Sequence, residues 1–451
     1  MRLLILILLI VTGFTACKQK ATFKLSESPK ELIFKDSGKD YDINAQVLGF
    51  NKFGFDLFQK ISAKDTINPI ISPYSINRLL LMTFAGTSGE TEKEMSAFLN
   101  WDNSIGFHKL ADQIERTLKE QQNDRYSIVV ANKMFVNNGI SIFDGYQNSL
   151  KTYYQTEVEA IDFNNNKAAA AKINNWVFEN TDSVIKNICS PNDFKQNTKL
   201  ALINAVAFKG GWMHVFDKNQ TYRNIFHGVV SDVETDFMFR FWKKFDPYDK
   251  KYTEDKYKSE LEKKYAPFLY NEDEYLRVME FPYSDGEASM FIILPKLKNK
   301  NDDSRDPKSY YNWTEIEPYF QFDSIVNMMN NMDSIHGKMF VAIPKFKSSY
   351  QFNVKDKLIE MGLSSPFSGN ADFSRISPES LVINKITHKA SIEVDEYGTT
   401  ASAASLAFVA TKSLNFDVVE FYAIVPFYYI IRDKKTGLIL FIGKYTQVTN
   451  N

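Results

Sequence analysis

Apolar positions change their period along the chain. Asn51 to Ile61 carries Phe53, Leu57, Phe58 and Ile61 at helical spacing. A second helix is predicted from Ser75 to Ala85 behind Pro73, and a third from Thr87 to Leu99 with Ser88 as candidate N-cap and Met95, Phe98 and Leu99 behind it. Later segments are short apolar or β-branched runs bounded by Pro, Gly and Asp, as strands are: Met290–Leu294, Met339–Ile343, Phe421–Val425, Tyr428–Ile431 and Leu438–Ile442. Helices early and strands late predict an α+β architecture with large sheets, not a regular βαβ alternation. No internal repeat and no Gly/Ser- or Pro-rich linker divides the chain, so one composite domain is expected over 44–451. Two charged stretches, Phe241–Tyr270 and Lys296–Pro307, read as solvated excursions from it.

The amino-terminal pattern is different in kind. Arg2 precedes nine consecutive apolar residues, Leu3 to Val11, too few for the ~20 helical residues that span a bilayer, so 1–16 reads as a signal peptide. Its end, Phe14-Thr15-Ala16-Cys17, resembles the lipobox of bacterial lipoproteins, in which the Cys is lipidated and becomes the new amino terminus. Ordinary secretory cleavage after Ala16 is the alternative, although Phe14 fits poorly where such a site wants a small residue. Acyl chains on Cys17 would hold the protein at a bacterial envelope membrane, facing periplasm or cell surface, with the polar segment 17–43 as tether.

Composition then removes function classes. With 54 Lys plus Arg against 55 Asp plus Glu, nothing favours a nucleic-acid partner. Apart from Cys17 the only cysteine is Cys189, so stability must come from burial rather than disulfides. There is no G-x-S-x-G elbow, no H-E-x-x-H, no G-x-x-x-x-G-K-[ST], and the five His residues (His108, His214, His227, His336, His388) lack metal-ligand spacing. No enzyme, cofactor or metal is expected, and the chain reads as a monomer.

Several segments nevertheless keep a recognisable order. Asn68-Pro69-Ile70-Ile71-Ser72-Pro73-Tyr74-Ser75-Ile76 resembles the N-x-x-x-S-P-x-S-I segment of the serpin family, and Asn204-Ala205-Val206-Ala207-Phe208-Lys209-Gly210-Gly211-Trp212 its N-A-x-x-F-K-G-x-W strand. Thr221 and Phe226, Phe281-Pro282-Tyr283, Ile292-Ile293-Leu294-Pro295, Pro344-Lys345-Phe346, Pro426-Phe427 and Ile431-Arg432-Asp433 through Gly443 follow in family order. The resemblance implies the serpin fold: three β-sheets, about eight or nine helices and an exposed reactive loop, here about 396–420.

The segment His388 to Ser405 carries the functional expectation. Ser391 to Asp395 alternates as a strand does, Gly398 permits a sharp turn, and the next seven residues are small: Thr399, Thr400, Ala401, Ser402, Ala403, Ala404 and Ser405. On composition alone this is also what a flexible linker looks like. In serpins the same pattern is the hinge of a loop that slides between two strands of the main sheet after cleavage, and small, proline-free residues suit a gap between strands ~4.8 Å apart. In inhibitory members the hinge Glu is the seventeenth residue back from the scissile bond; counting forward from Glu396 gives Lys412 followed by Ser413. A Lys there suits a trypsin-like primary pocket.

The resemblance therefore implies a suicide-substrate inhibitor of trypsin-like serine proteases, acting through a covalent acyl-enzyme, with cysteine proteases as further targets. It also implies that Ser72, Ser75, Asn204 and His388 form a polar latch beneath the sheet where it parts, with Trp212 near the point where the loop first inserts. Tyr397, where the family usually has a charge, and the polar Ser402 and Ser405 depart from the pattern. Trp101–Arg125 shows no basic face of the kind that binds heparin. A non-inhibitory serpin, acting as a binding or chaperone module, is the alternative.

Overall fold

The structure, a computed structural model, describes residues 41–62, 67–243, 269–334, 337–399 and 417–449. Its first helices start for local reasons. Helix α1 (Ile43–Ser62) opens at Ile43 rather than Asn51, because Asp42 accepts from the Asn44 N–H at 2.9 Å and Tyr41 donates to Asp102 at 2.6 Å, fixing the approach of the chain. Helix α2 (Pro73–Ala85) is capped by Ser72, whose hydroxyl oxygen accepts from the Ser75 N–H at 3.2 Å, with Pro73 in the first turn where its missing donor is harmless. Helix α3 (Gly89–Leu99) corrects one expectation: Ser88 has extended geometry, but its side chain makes no capping bond, and its N–H is tied to Asp372 O at 3.0 Å. Six more helices follow among the described residues: α4 (Ile105–Glu120), α5 (Asp144–Tyr154), α6 (Asn166–Glu179), α7 (Trp313–Ile316), α8 (Phe322–Asn330) and α9 (Val354–Glu360). None is long and apolar enough to cross a membrane.

The strands form three sheets. The main sheet joins β2 (Tyr126–Asn137), β3 (Val158–Ile161), β4 (Leu200–Gly211), β12 (Phe346–Asn353), β13 (Ile383–Asp395) and the two-residue β14 (Gly398–Thr399), in the order β12-β13-β14-β4-β2-β3. A second sheet has the order β1-β17-β16-β9-β8-β7-β10, from β1 (Ile70–Ile71), β7 (Leu269–Glu272), β8 (Leu276–Pro282), β9 (Ala288–Pro295), β10 (Asp333–Ser334), β16 (Phe427–Asp433) and β17 (Ile439–Tyr445). The third, β15-β11-β6-β5, is built from β5 (Tyr222–His227), β6 (Asp232–Lys243), β11 (Gly337–Pro344) and β15 (Asp417–Tyr422). The strand expected over Phe421–Val425 thus ends at Tyr422. Ala423 to Val425 stay buried but approach Pro426, which has no N–H to give a ladder and restricts the residue before it.

The two faces of the main sheet bury different cores, as the two-residue period of a strand requires. Leu200, Leu202, Val206 and Phe208 of β4 face the principal core with α2 and the second sheet, whereas Ala201, Ile203 and Ala205 face a smaller cluster under α6 with Ile173, Val177 and Phe194. Cys189, the one cysteine among the described residues, is free and buried at that second cluster, and burial pushes its thiol up to about 12. Of the charged stretches, Lys296–Pro307 lies mostly exposed, with Ser304 buried within it; residues 244–268 of the other lie outside the described residues.

Candidate functional site

The centre of the main sheet is a seam. Strands β13 and β4 run parallel and pair directly from Ile383↔Leu200 to Ser391↔Ala207. Above that point they separate around β14. The chain leaves β13, turns at Glu396–Tyr397, and comes back antiparallel to both neighbours, Thr399 pairing with Val394 on one side and Gly210 on the other, Gly398 with Asp395 and Gly211. The close approach explains the glycine: Gly398 has φ +150°, and a Cβ there would stand 2.0 Å from Gly210 O and 2.7 Å from Gly211 Cα.

Around this slot each neighbour has a defined role. Thr399 is fully buried, and its hydroxyl shares a 2.9 Å hydrogen bond with that of Tyr283. The Tyr283 ring stacks on Trp212 with centroids 4.7 Å apart and planes 6° from parallel. Trp212 donates from Nε1 to Asp395 O at 2.9 Å and from its backbone N–H to Tyr397 O at 2.8 Å, holding the turn from outside. Glu396, 2% exposed, accepts from the Thr221 hydroxyl at 2.8 Å and pairs with Lys345 at 3.1 Å. Burial pushes its carboxyl up, but a backbone amide, Thr221 and Lys345 together outweigh that and hold it below the ordinary range.

Lower on the same seam lies a buried polar cluster. Asn204 and His388 are register partners across β4 and β13. The Ser72 N–H donates to His388 Nε2 at 3.2 Å, and His388 Nδ1 is bonded to Asn204 Oδ1. Because Nε2 accepts, the proton sits on Nδ1 and the ring is neutral. Burial agrees, lowering the His388 pKa to about 3. Asn204 Nδ2 donates to Ser75 O at 2.9 Å and to Ser75 Oγ at 2.6 Å, and Asn132, its register partner on β2, donates to Ser75 O at 3.1 Å.

Ser72, Ser75, Asn204 and His388 therefore meet, Ser72 reaching His388 through its backbone N–H, and Trp212 does not join them. It sits eight residues along β4 from Asn204, roughly 26 Å at ~3.3 Å per residue, at the slot. Thr400, Ala401, Ser402, Ala403, Ala404, Lys412, Ser413 and Cys17 lie outside the described residues. Sequence reasoning missed Asn132, Lys345 and the Tyr283–Thr399 contact. A lone Asn between Ala131 and Lys133 in an otherwise strand-like run was the available sign for the first.

A family model described as Serpin (serine protease inhibitor) matches residues 49–448. The chain belongs to the serpin family. An uncharacterized serpin-like protein of Methanosarcina acetivorans is 32% identical over 413 residues, covering 91% of this chain and 87% of that protein. The leukocyte elastase inhibitor of Xenopus laevis is likewise 32% identical, covering 88% and 97%. Among solved structures, Serpin48 of the insect Tenebrio molitor, described as a highly specific serpin, superposes with a TM-score of 0.71 at 25% identity, covering 90% of this chain and 98% of that one. The three sheets and nine described helices are those expected of a serpin.

Proposed function

We propose that this serpin is an inhibitor of trypsin-like serine endopeptidases, cleaved after Lys412, that traps the acyl-enzyme by drawing its loop into the main sheet. The observation that carries the reading is β14: Gly398 and Thr399 already lie antiparallel between β13 and β4, at the top of a seam whose lower part is closed. Extending that register one residue at a time sets Ser405 opposite Asn204 and His388 and Val409 opposite Leu200, the last residue of the seam on β4. Lys412 then falls three residues past the end of the strand, so the bound protease is carried to the far pole. Thr399 to Lys412 is fourteen residues, or roughly 46 Å at ~3.3 Å each.

The same register sorts the loop by size. Residues of the parity of Thr399, which faces the principal core, are Ala401, Ala403, Ser405, Ala407, Val409 and Thr411, all small, while Leu406 and Phe408 fall on the opposite face. A core that is already packed accepts the first set and would reject the second. The family's inhibitory relatives, such as the elastase inhibitor, support the same reading. The leader and the Cys17 motif support a lipid-anchored protein of a bacterial envelope, tethered through 17–43 ahead of the serpin domain 44–451.

Incubation with trypsin tests this. A complex that survives boiling in detergent, with a released peptide beginning at Ser413, is expected; turnover of the serpin as a simple substrate, or a non-inhibitory serpin that only binds, would leave no such complex.

A further inference from the structure

The hairpin between β5 and β6 ends in Gly228-Val229-Val230-Ser231. Val230, 69% exposed, is the most exposed large apolar side chain among the described residues, and Val229 beside it is 52% exposed. Ile67, also exposed, is joined to this tip through the carboxyl-terminal segment: the next residue, Asn68, accepts at Oδ1 from the N–H groups of Thr446 and Gln447, and those two residues hold the hairpin. Single apolar side chains scattered over a surface are ordinary; two adjacent ones on a fixed tip, with a third nearby, mark a contact.

The backbone of the tip finds its partners inside the protein. The Val229 N–H donates to Thr446 O at 2.9 Å, the N–H groups of Val230 and Ser231 both donate to Gln447 Oε1 at 3.0 and 3.1 Å, and Gln447 Nε2 donates back to Ser231 O at 3.0 Å. Gly228 lets the clamp close, because a Cβ there would stand 2.2 Å from Gln447 Oε1. A turn in water needs no such clamp, since water satisfies its amides. A turn that enters hydrocarbon does need it, because an unmade backbone hydrogen bond is costly there. At the base of the hairpin, Asp232 faces His227 Nδ1 at 2.9 Å.

We propose that this tip is a second, non-covalent membrane contact: Val229 and Val230 dip into the bilayer that holds Cys17, with Ile67 at the rim. The inference rests on the lipid-anchored reading. Ile67 follows the carboxyl end of the twenty-residue α1 by five residues, so the start of α1 lies within roughly 47 Å of it, ~30 Å of helix plus at most ~17 Å of extended chain. Residues 18–40 can span up to ~78 Å and average about 26 Å as a flexible coil, so anchor and tip reach one membrane. Two valines, each about half exposed, favour the bilayer by roughly tenfold apiece, too little to hold the protein alone and enough to orient one already anchored. Orientation matters because the reactive loop enters the third sheet at the other end of β6: Lys338 of β11 is opposite both Val418 of β15 and Lys243 of β6. Asp232 to Lys243 is eleven steps, roughly 36 Å at ~3.3 Å each, so a tip on the membrane holds the loop end of the sheet away from lipid, where a protease can reach it.

The test places a polarity-sensitive nitrobenzoxadiazole label on Val230→Cys in the full lipidated chain, reconstituted on vesicles of phosphatidylethanolamine and phosphatidylglycerol. Cys189 is buried with its thiol pushed up to about 12, so the label goes to the new cysteine. On vesicles the emission should shift to the blue, rise about twofold or more, and be quenched by spin-labelled acyl chains. The same label on Val184→Cys, exposed beside the cluster under α6, should do none of these. A label on Ile67→Cys should respond as well, and Val229→Asp with Val230→Asp should erase that response while the protein still floats with the vesicles. Emission at 230 that stays as aqueous as at 184 on vesicles carrying the protein would overturn the proposal and leave the anchor standing, and a blue shift without vesicles would overturn it in favour of self-association. Failure of the parent to float would refute lipidation alone; a hexahistidine run in place of Cys17, on nickel-chelating lipid, then holds the chain at the same point and the comparison of 230 with 184 decides the tip.

Discussion

Replacing Thr399 with arginine separates cleavage from trapping. Thr399 is wholly buried, its hydroxyl on Tyr283 and its backbone paired on both sides. The slot around it is formed by Tyr283, Val394 and Gly210, so a guanidinium there would be a cation buried in a packed site, costing several kcal/mol. The uncut protein has a cheaper response. Only Gly398 and Thr399 are docked, so they leave the slot, losing a few ladder hydrogen bonds at ~1 kcal/mol each and the Tyr283 contact, roughly 2–4 kcal/mol in all. For a chain of this size that lowers the melting temperature by only a few degrees. After cleavage no such escape exists, because insertion must carry residue 399 through the slot first. An added barrier of ~3–4 kcal/mol slows insertion by about 10² to 10³, and deacylation then wins. Thr399→Arg should therefore be cut after Lys412 yet turned over, with no detergent-stable complex and no large rise in melting temperature on cleavage. Thr399→Ser keeps the hydroxyl and should behave like the parent. If Thr399→Arg traps trypsin with parental stoichiometry, strand insertion is not the mechanism.

Four further outcomes are expected. Lys412→Ala should slow inhibition of trypsin by orders of magnitude with little change in melting temperature, and mass spectrometry of the released peptide checks the position of the cut. Ser405→Val should leave the uncut protein unchanged but lower the melting temperature of the cleaved form, since Asn204 and His388 would meet a side chain without a hydroxyl; an unchanged cleaved form would show that the register does not continue as β14 begins it. Cys17→Ser should release a soluble, still inhibitory protein from the membrane, and equal membrane retention would count against lipidation. His388 and His108 are both held neutral by burial, with pKa values lowered to about 3. The unfolded state therefore binds more protons below about pH 6.5, and each His removes ~1 kcal/mol of stability between pH 6.5 and 5.5; denaturant titrations should show His388→Asn losing about half of the two residues' combined slope.

What could be read from the sequence was mostly what neighbours in the chain decide. Ser72-Pro73 caps a helix wherever it folds, the Met290–Leu294 run is a strand in any context, and Gly398 before small residues marks a turn. The missed features depend on register between distant segments. Asn132 meets Asn204 only because β2 and β4 align, and Lys345 meets Glu396 only because β12 follows β13 through the sheet. That Gly398 and Thr399 are already docked depends on Gly210 and Gly211 facing Gly398 across the slot, a three-glycine coincidence that no local window contains. Boundaries erred at element ends, where single residues decide: Asp42 and Tyr41 lengthen the first helix, and Pro426 shortens the strand before it.

The topology itself indicates where the driving force lies and where it is resisted. The closed seam is one parallel ladder, Ile383–Ser391 against Leu200–Ala207; the proposed insertion would replace it with two antiparallel ladders, each as long as β14 extended down β4, and antiparallel pairing is the more stable per residue. On that proposal each residue that enters would open one parallel pairing and close two antiparallel ones, so the process would run downhill once begun, with Gly398 and Thr399 as its first two steps. Resistance is concentrated at one level, where Asn204, His388, Ser75 and Asn132 share buried hydrogen bonds that must separate together. Ser405 is the loop residue that the register of β14, if continued, would bring to that level. Its hydroxyl can donate and accept, which an alanine cannot, so its departure from an all-alanine hinge supplies a polar partner at the point where the advancing strand breaks a polar network.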